Sequence, residues 1–207
     1  MSEVSTNSEK KYKKELITLY GYTVLSNPLS ISIASIFAGF SLILTLVAVL
    51  LSQGFINIGD LGVMITGLLF GPWIGAVAGG IGPMFADLIL YPPTTPITLI
   101  IKALEGFLVG IIANPRKHYK KGLNYRDILA VIIGGLTMVS GYFLAELYLF
   151  QNPGWAFSEL PLNFFVQFLI GVIGSLLFTY SFRKNIIESY PQVFENIFIE
   201  EDEQEKT

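Results

Sequence analysis

Ile31-Ser32-Ile33-Ala34-Ser35-Ile36-Phe37-Ala38-Gly39-Phe40-Ser41-Leu42-Ile43-Leu44-Thr45-Leu46-Val47-Ala48-Val49-Leu50-Leu51 runs without a single charged side chain. At about 1.5 Å per residue, a helix needs about 20 apolar residues to cross a hydrocarbon core of roughly 30 Å. This run is long enough, so it reads as a membrane-crossing helix. Working outward, five further stretches pass or nearly pass the same test: 55–71, 72–91, 97–114, 128–150 and 162–182. The second of the six is short and carries Asp60 near its start. A β-barrel would instead need alternating segments of about ten residues. These runs are apolar on all sides. The predicted fold is all-α: a polytopic membrane protein with six transmembrane helices.

The composition agrees. Of 207 residues, 52% are apolar and only 14% are charged, against about 25% charged in a soluble domain. A net charge of -3 with no basic stripe argues against nucleic acid as a partner. The chain has no cysteine, which removes disulfides, thiolate metal sites and cysteine nucleophiles. His118 is the single histidine, so two-histidine metal motifs are impossible. No Gly-x-x-x-x-Gly-Lys-Ser/Thr loop occurs, so the chain is expected to hydrolyse no nucleotide itself. No catalytic residue, metal or cofactor is expected, and the protein does not read as an enzyme.

The breaks between runs have physical causes. Pro72 follows Gly71 at a first-turn position, where a missing N–H is harmless, so runs two and three are expected to form a tight helical hairpin. Tyr91-Pro92-Pro93-Thr94-Thr95-Pro96 interrupts the helix before run four. Gln151-Asn152-Pro153-Gly154 is a turn signal after run five.

Orientation follows from the basic residues. Lys10, Lys11, Lys13 and Lys14 precede run one. Arg116, Lys117, Lys120, Lys121 and Arg126 separate runs four and five; Arg183, Lys184 and Lys206 follow run six. Six crossings put all twelve on one side, and the positive-inside rule makes that side the cytoplasm. Both termini are therefore expected inside a cell membrane. The organisation reads as a cytoplasmic N-terminal segment (1–30), a six-helix membrane domain (31–182) and a cytoplasmic acidic tail (183–207) ending around Glu200-Glu201-Asp202-Glu203. Residues 10–27 read as a partly amphipathic segment near the headgroups or as a solvated tail. No cleaved signal peptide is expected.

Ionisable groups inside a bilayer are expensive, at least ~2.5 kcal/mol each on insertion scales. Five occur in the runs: Asp60, Asp87, Lys102, Glu105 and Glu146. Given the topology, all lie in the outer half. Asn163 and Gln167 open run six from the same side, and Tyr142 shares a helix face with Glu146. These eight residues are the candidate solute pocket. Lys102 is placed to hold a solute carboxylate or phosphate, and Glu105 and Glu146 to accept ring N–H groups.

Structural readings compete at each position. Lys102 and Glu105 are i,i+3 neighbours and suit a self-neutralising pair. Asp60 and Glu146 suit the interface. Asp87 suits capping of backbone released at Pro83, and Asn163 a helix N-cap. None of these readings explains why every group falls on one side. Tyr91, Tyr142, Tyr148, Trp155 and Phe157 also lie near the outer surface, either as an interfacial belt or as a stacking platform for a flat solute.

Gly71, Gly75 and Gly79 recur every four residues, and Gly106 and Gly110 repeat the spacing. Such faces allow close helix approach, here within the chain. Ala34 and Ala38, at the inner start of run one, form a smooth patch suited to another subunit's helix.

Ile56-Asn57-Ile58-Gly59-Asp60, Leu69-Phe70-Gly71-Pro72, Ala78-Gly79-Gly80-Ile81-Gly82, Ala86-Asp87, Thr98-Leu99-Ile100-Ile101-Lys102 and Leu104-Glu105-Gly106 together resemble the substrate-binding S component of energy-coupling factor (ECF) transporters. The riboflavin-type group is the nearest in pattern. Tyr142-Phe143, Glu146-Leu147, Leu160-Pro161, Asn163 and Gln167 extend the resemblance, which spans about 31–182. It implies six helices and an outward-facing site for a vitamin or precursor, riboflavin-like or pyrimidine-like. It also implies a complex with one membrane coupling subunit and two cytoplasmic ATPases. Ala34 and Ala38 match the family's small-residue motif and imply contact with the coupling subunit. Two rivals remain at this stage: a stand-alone proton-coupled transporter using Glu105 and Lys102, and a structural membrane protein without a solute.

Overall fold

The computed structural model describes residues 17–18, 22–23, 28–51, 54–114 and 121–198. Most of the predicted N-terminal segment, Arg116, Lys117, His118, Lys120 and the acidic run from Glu200 lie outside the described residues. Two short strands, β1 (Ile17–Thr18) and β2 (Tyr22–Thr23), pair antiparallel ahead of the first helix.

Helix α1 (Pro28–Leu46) starts on a proline and stops before the predicted end at 51. Residues Ala48–Leu51 (β3) pair instead with Gly54–Asn57 (β4) in an antiparallel hairpin, with Val49 opposite Ile56. A short apolar run rich in valine suits a strand as well as a helix, and hydropathy alone does not separate the two. Asn57 ends the hairpin, and its Oδ1 accepts the Gly59 N–H at 2.7 Å, satisfying a donor at the next helix start.

That next element, α2 (Gly59–Leu90), is two arms joined at Gly71, whose φ of 82° and ψ of -171° are non-helical. Only glycine adopts this region cheaply. The arms fold back on each other. A Cβ on Gly75 would sit 2.9 Å from the Gly67 Cα, and one on Gly79 would sit 2.7 Å from a Val63 methyl. This is the helical hairpin expected from Gly71-Pro72. Pro72 has no N–H to give the Leu68 carbonyl. That carbonyl is served from elsewhere: Arg183 Nη2 donates to it at 2.7 Å and Asn114 Nδ2 at 3.1 Å.

A short 3₁₀ turn (Pro92–Thr94) leads into α3 (Thr95–Ala113). α3 lies on the hairpin with glycine against glycine: Gly106 faces the Gly75 backbone and Gly110 the backbone at Gly71. α4 (Tyr125–Leu144) opens with a capping box, the Asn124 N–H donating to Asp127 Oδ2 at 2.9 Å, and ends in a wider π turn, Ala145–Leu149. The last long helix runs through α5 (Pro153–Leu162), a π segment (Asn163–Phe168) and α6 (Leu169–Ser189). It extends past the predicted 162–182 run at both ends. A final helix, α7 (Pro191–Ile197), follows; its Phe194 ring stacks on Phe70 at 5.6 Å.

Among the described residues, five helical stretches are long and apolar enough to cross a membrane: Pro28–Leu46, Gly59–Leu90, Pro92–Ala113, Tyr125–Leu149 and Pro153–Ser189. The second contains both arms of the hairpin. Polarity is inverted relative to a soluble protein. Ile36, Ile43, Ile89, Ile100, Phe165, Leu177 and Tyr180 face outward, while Asp60, Lys102, Glu105 and Arg183 are buried. Such a surface suits lipid rather than water.

Candidate functional site

A cavity with about 390 Å³ of free space, part of it open to solvent, lies at one end of the bundle. That end carries β4, the turn at Pro92–Thr94 and the turn before Pro153. Three carboxyls (Asp87, Glu146, Glu159), three amides (Asn57, Asn163, Gln167), three aromatics (Tyr91, Tyr142, Trp155) and two hydroxyls (Thr94, Thr98) line the cavity.

Each group is held by the element that carries it. Asp87 sits in the last turn of α2, and its Oδ2 accepts from the Thr94 hydroxyl at 2.6 Å and from Thr98 at 2.5 Å. The Thr98 oxygen is also 2.9 Å from the Tyr142 hydroxyl. Since the Thr98 proton goes to the carboxylate, Tyr142 is the donor there. Three helices are thus tied through one carboxylate. Asp87 takes hydroxyls, not backbone freed at Pro83.

The π turn at Ala145–Leu149 is marked by the Phe150 N–H reaching back to the Ala145 carbonyl, five residues away, at 3.0 Å. A single wide turn changes the direction of the side chains it carries, and such turns collect at functional sites. Here it carries Glu146. The second π segment carries Asn163 and Gln167, with the Gln167 amide donating to Asn163 Oδ1. Pro161, which cannot donate a helical hydrogen bond, precedes it.

Asn152 caps the start of α5 by accepting the Trp155 N–H at 3.0 Å. That cap fixes Trp155, which meets Tyr91 edge-on at 5.8 Å and Phe150 at 5.0 Å. Glu159, one turn on, brings its carboxyl against that of Glu146. Glu146 Oε2, Glu159 Oε1 and Trp155 Nε1 are buried together, the indole beside the Glu159 carboxyl.

Five of the eight sequence-predicted site residues line this cavity: Asp87, Tyr142, Glu146, Asn163 and Gln167. Asp60, Lys102 and Glu105 do not. They form a buried ion cluster, Lys102 Nζ bonding Asp60 and lying 3.0 Å from Glu105 Oε2. Lys102 is only 2% exposed and has both its partners inside the protein. It is not placed to bind a solute anion, and Asp60 is buried against it. The Lys102 ammonium lies 5.9 Å from the centre of the Tyr142 ring, so the cluster sits beside the cavity rather than in it.

Sequence reasoning missed Asn57, Thr94, Thr98 and Glu159 as site residues, and took Tyr91 and Trp155 only as outer aromatics. Glu159 fell outside the predicted sixth run because the helix start was set at 162, behind the apparent break at Pro161. The available signal was the Pro153 start with an Asn152 cap, which extends that helix outward by two turns and more. It also missed the pair formed by Arg183 and Asp127 at the opposite end, where Arg183 Nη1 donates to Asp127 Oδ2 at 2.9 Å.

Ala34 and Ala38 are buried inside the chain. A Cβ on Gly82 would collide with the Ala38 carbonyl, so this face of α1 packs on α2. The outward face of α1 is Ser32, Ser35, Ile36 and Ile43, with open space beside Gly39.

Comparison with known proteins places the chain. Residues 27–184 match the family described as ECF-type riboflavin transporter, S component. A protein of Pyrococcus woesei, named only as an uncharacterized protein in the gap 3' region, is 39% identical over 122 residues, covering 59% of this chain and 78% of that protein. The match covers most of the chain, and the chain belongs to the ECF-type riboflavin transporter S component family: a multi-pass membrane protein of a transport family, not of an enzyme family.

Proposed function

We propose that this S component captures a small water-soluble vitamin or vitamin precursor from outside the cell. Release to the cytoplasm then requires one membrane coupling subunit and two cytoplasmic ATPases. The observation that carries this reading is a polar, aromatic cavity at one end above a closed floor. Beside and below it sit the Asp60–Lys102–Glu105 cluster and a packed apolar layer of Met64, Leu68, Val109 and Val131. The Arg183–Asp127 pair lies at the far end. A site open at one end, with no polar path among the described residues to the other, suits binding and delivery by a moving partner rather than conduction.

The reading takes the hairpin as two crossings, giving six with both termini cytoplasmic. The described basic residues Lys121, Arg126, Arg183 and Lys184 then lie at the end opposite the cavity, as the charge rule requires. The cavity thus faces outward from the cell membrane. Its lining, not Lys102, recognises the solute. The coupling subunit docks on the outward small face of α1, at Ser32, Ser35 and Gly39, since Ala34 and Ala38 are used inside the chain.

Mass spectrometry of small molecules retained by the purified protein tests the capture step, with a vitamin-like ring compound as the expected finding. Vesicles containing this chain alone should bind but not accumulate it. Accumulation without ATP or partners would instead favour the proton-coupled transporter.

A further inference from the structure

Resting on the capture reading, we infer that the solute is a flat nitrogen heterocycle carrying a positive charge, which the site prefers over neutral rings, and that anions are refused. Among the described residues, the lining supplies three carboxyls and no lysine, arginine or histidine. The nearest cation, Lys102, is engaged by two carboxylates of its own. Asp87 is held in place by two hydroxyls and offers its charge at a fixed point. Glu146 and Glu159 set their carboxyls against each other at the cavity, and Glu146 is only 2% exposed.

Two carboxyls facing each other repel when ionised. A cationic ring set against the pair offsets that repulsion and gives the carboxyls an N–H donor. Tyr91, Tyr142 and Trp155 supply π faces, and a cation over such a face is attracted further. An anion meets three carboxyls and no basic side chain among the described lining residues, a mismatch in a desolvated site.

The test uses purified full-length protein and probes that differ in charge. The cations are thiamine and the methylnicotinamide cation, the neutral probes riboflavin and nicotinamide, the anions flavin mononucleotide and nicotinate. Affinity is read by calorimetry and thermal shift. The expected order places the cations at least about tenfold tighter than their neutral counterparts, with anions unbound. Glu146→Gln and Glu159→Gln should each erase most of that preference. The charge order on the unaltered protein stands by itself if a variant fails to fold. Preference for a neutral or anionic probe would overturn this inference and leave solute capture intact. If no probe binds and no molecule is retained on purification, both readings fall.

Discussion

The Arg183 guanidinium donates to the Leu68 carbonyl at 2.7 Å, filling the position that the missing N–H of Pro72 leaves empty. The same guanidinium grips Asp127 through both of its terminal nitrogens, at 2.9 and 3.1 Å. One side chain thus closes the end of a helix arm, neutralises a buried carboxylate and joins the fifth and sixth predicted runs to the hairpin. A positive charge at a helix C-terminus is also favoured by the helix dipole.

Replacing that side chain should be severe. Arg183→Met leaves Asp127 buried and unpaired, a loss of about 3 kcal/mol or more. Adding Asp127→Asn should recover part of it. Thermal unfolding in detergent reads both, and equal midpoints for Arg183→Met and the unaltered protein would contradict the structure.

Gly71→Ala should destabilise by about 1–3 kcal/mol, because φ at 82° and ψ at -171° exclude a Cβ without strain. Alanine at Gly39, where the space is open, should leave the melting midpoint within a degree or two. The two midpoints measured side by side check the hairpin.

Lys102→Met should strip the only cation from between Asp60 and Glu105, lowering stability by roughly 3 kcal/mol or more. Solute affinity should move by less than about threefold in calorimetry, since the lysine does not line the cavity. Lys102→Met with Glu105→Gln is the milder companion for the same titration. A large affinity loss at normal stability would restore Lys102 to the site.

Trp155→Ala should weaken binding of the retained solute by about 1–2 kcal/mol, the range for lost ring stacking or cation–π contact. Trp155→Phe should keep most of the affinity. If both variants bind like the unaltered protein in calorimetry, the ring does not touch solute.

On α1 the two faces should separate. Ser35→Leu with Gly39→Leu should abolish co-purification with a coupling subunit while sparing the melting midpoint. Ala34→Leu should lower the midpoint instead, because the added volume meets packed neighbours. Pull-down and thermal shift on the same preparations distinguish them.

Much of this was legible in the chain before any coordinates. The helical class, the break at Gly71-Pro72 and the glycine contacts follow from hydropathy and backbone rules that act over a few residues. Five site positions were legible because a polar group inside an apolar run is costly and therefore informative. Thr94 and Thr98 escaped because a hydroxyl carries little such penalty, and Asn57 because the short stretch that holds it read as the start of a helix. Residues 47–51 were misread because a short valine-rich stretch has no period that distinguishes strand from helix.

The sequence by itself determined that the chain is a membrane-embedded helical protein, since lipid imposes its penalty residue by residue. Only the tertiary structure decided which of the costly charged groups neutralise each other. Lys102 lies three residues from Glu105 but 42 from Asp60, and no local rule predicts the second contact. Likewise Arg183 reaches Leu68 across 115 residues. Partnering at that separation is set by how the helices pack, and that packing left Asp87, Glu146 and Glu159 to form the cavity.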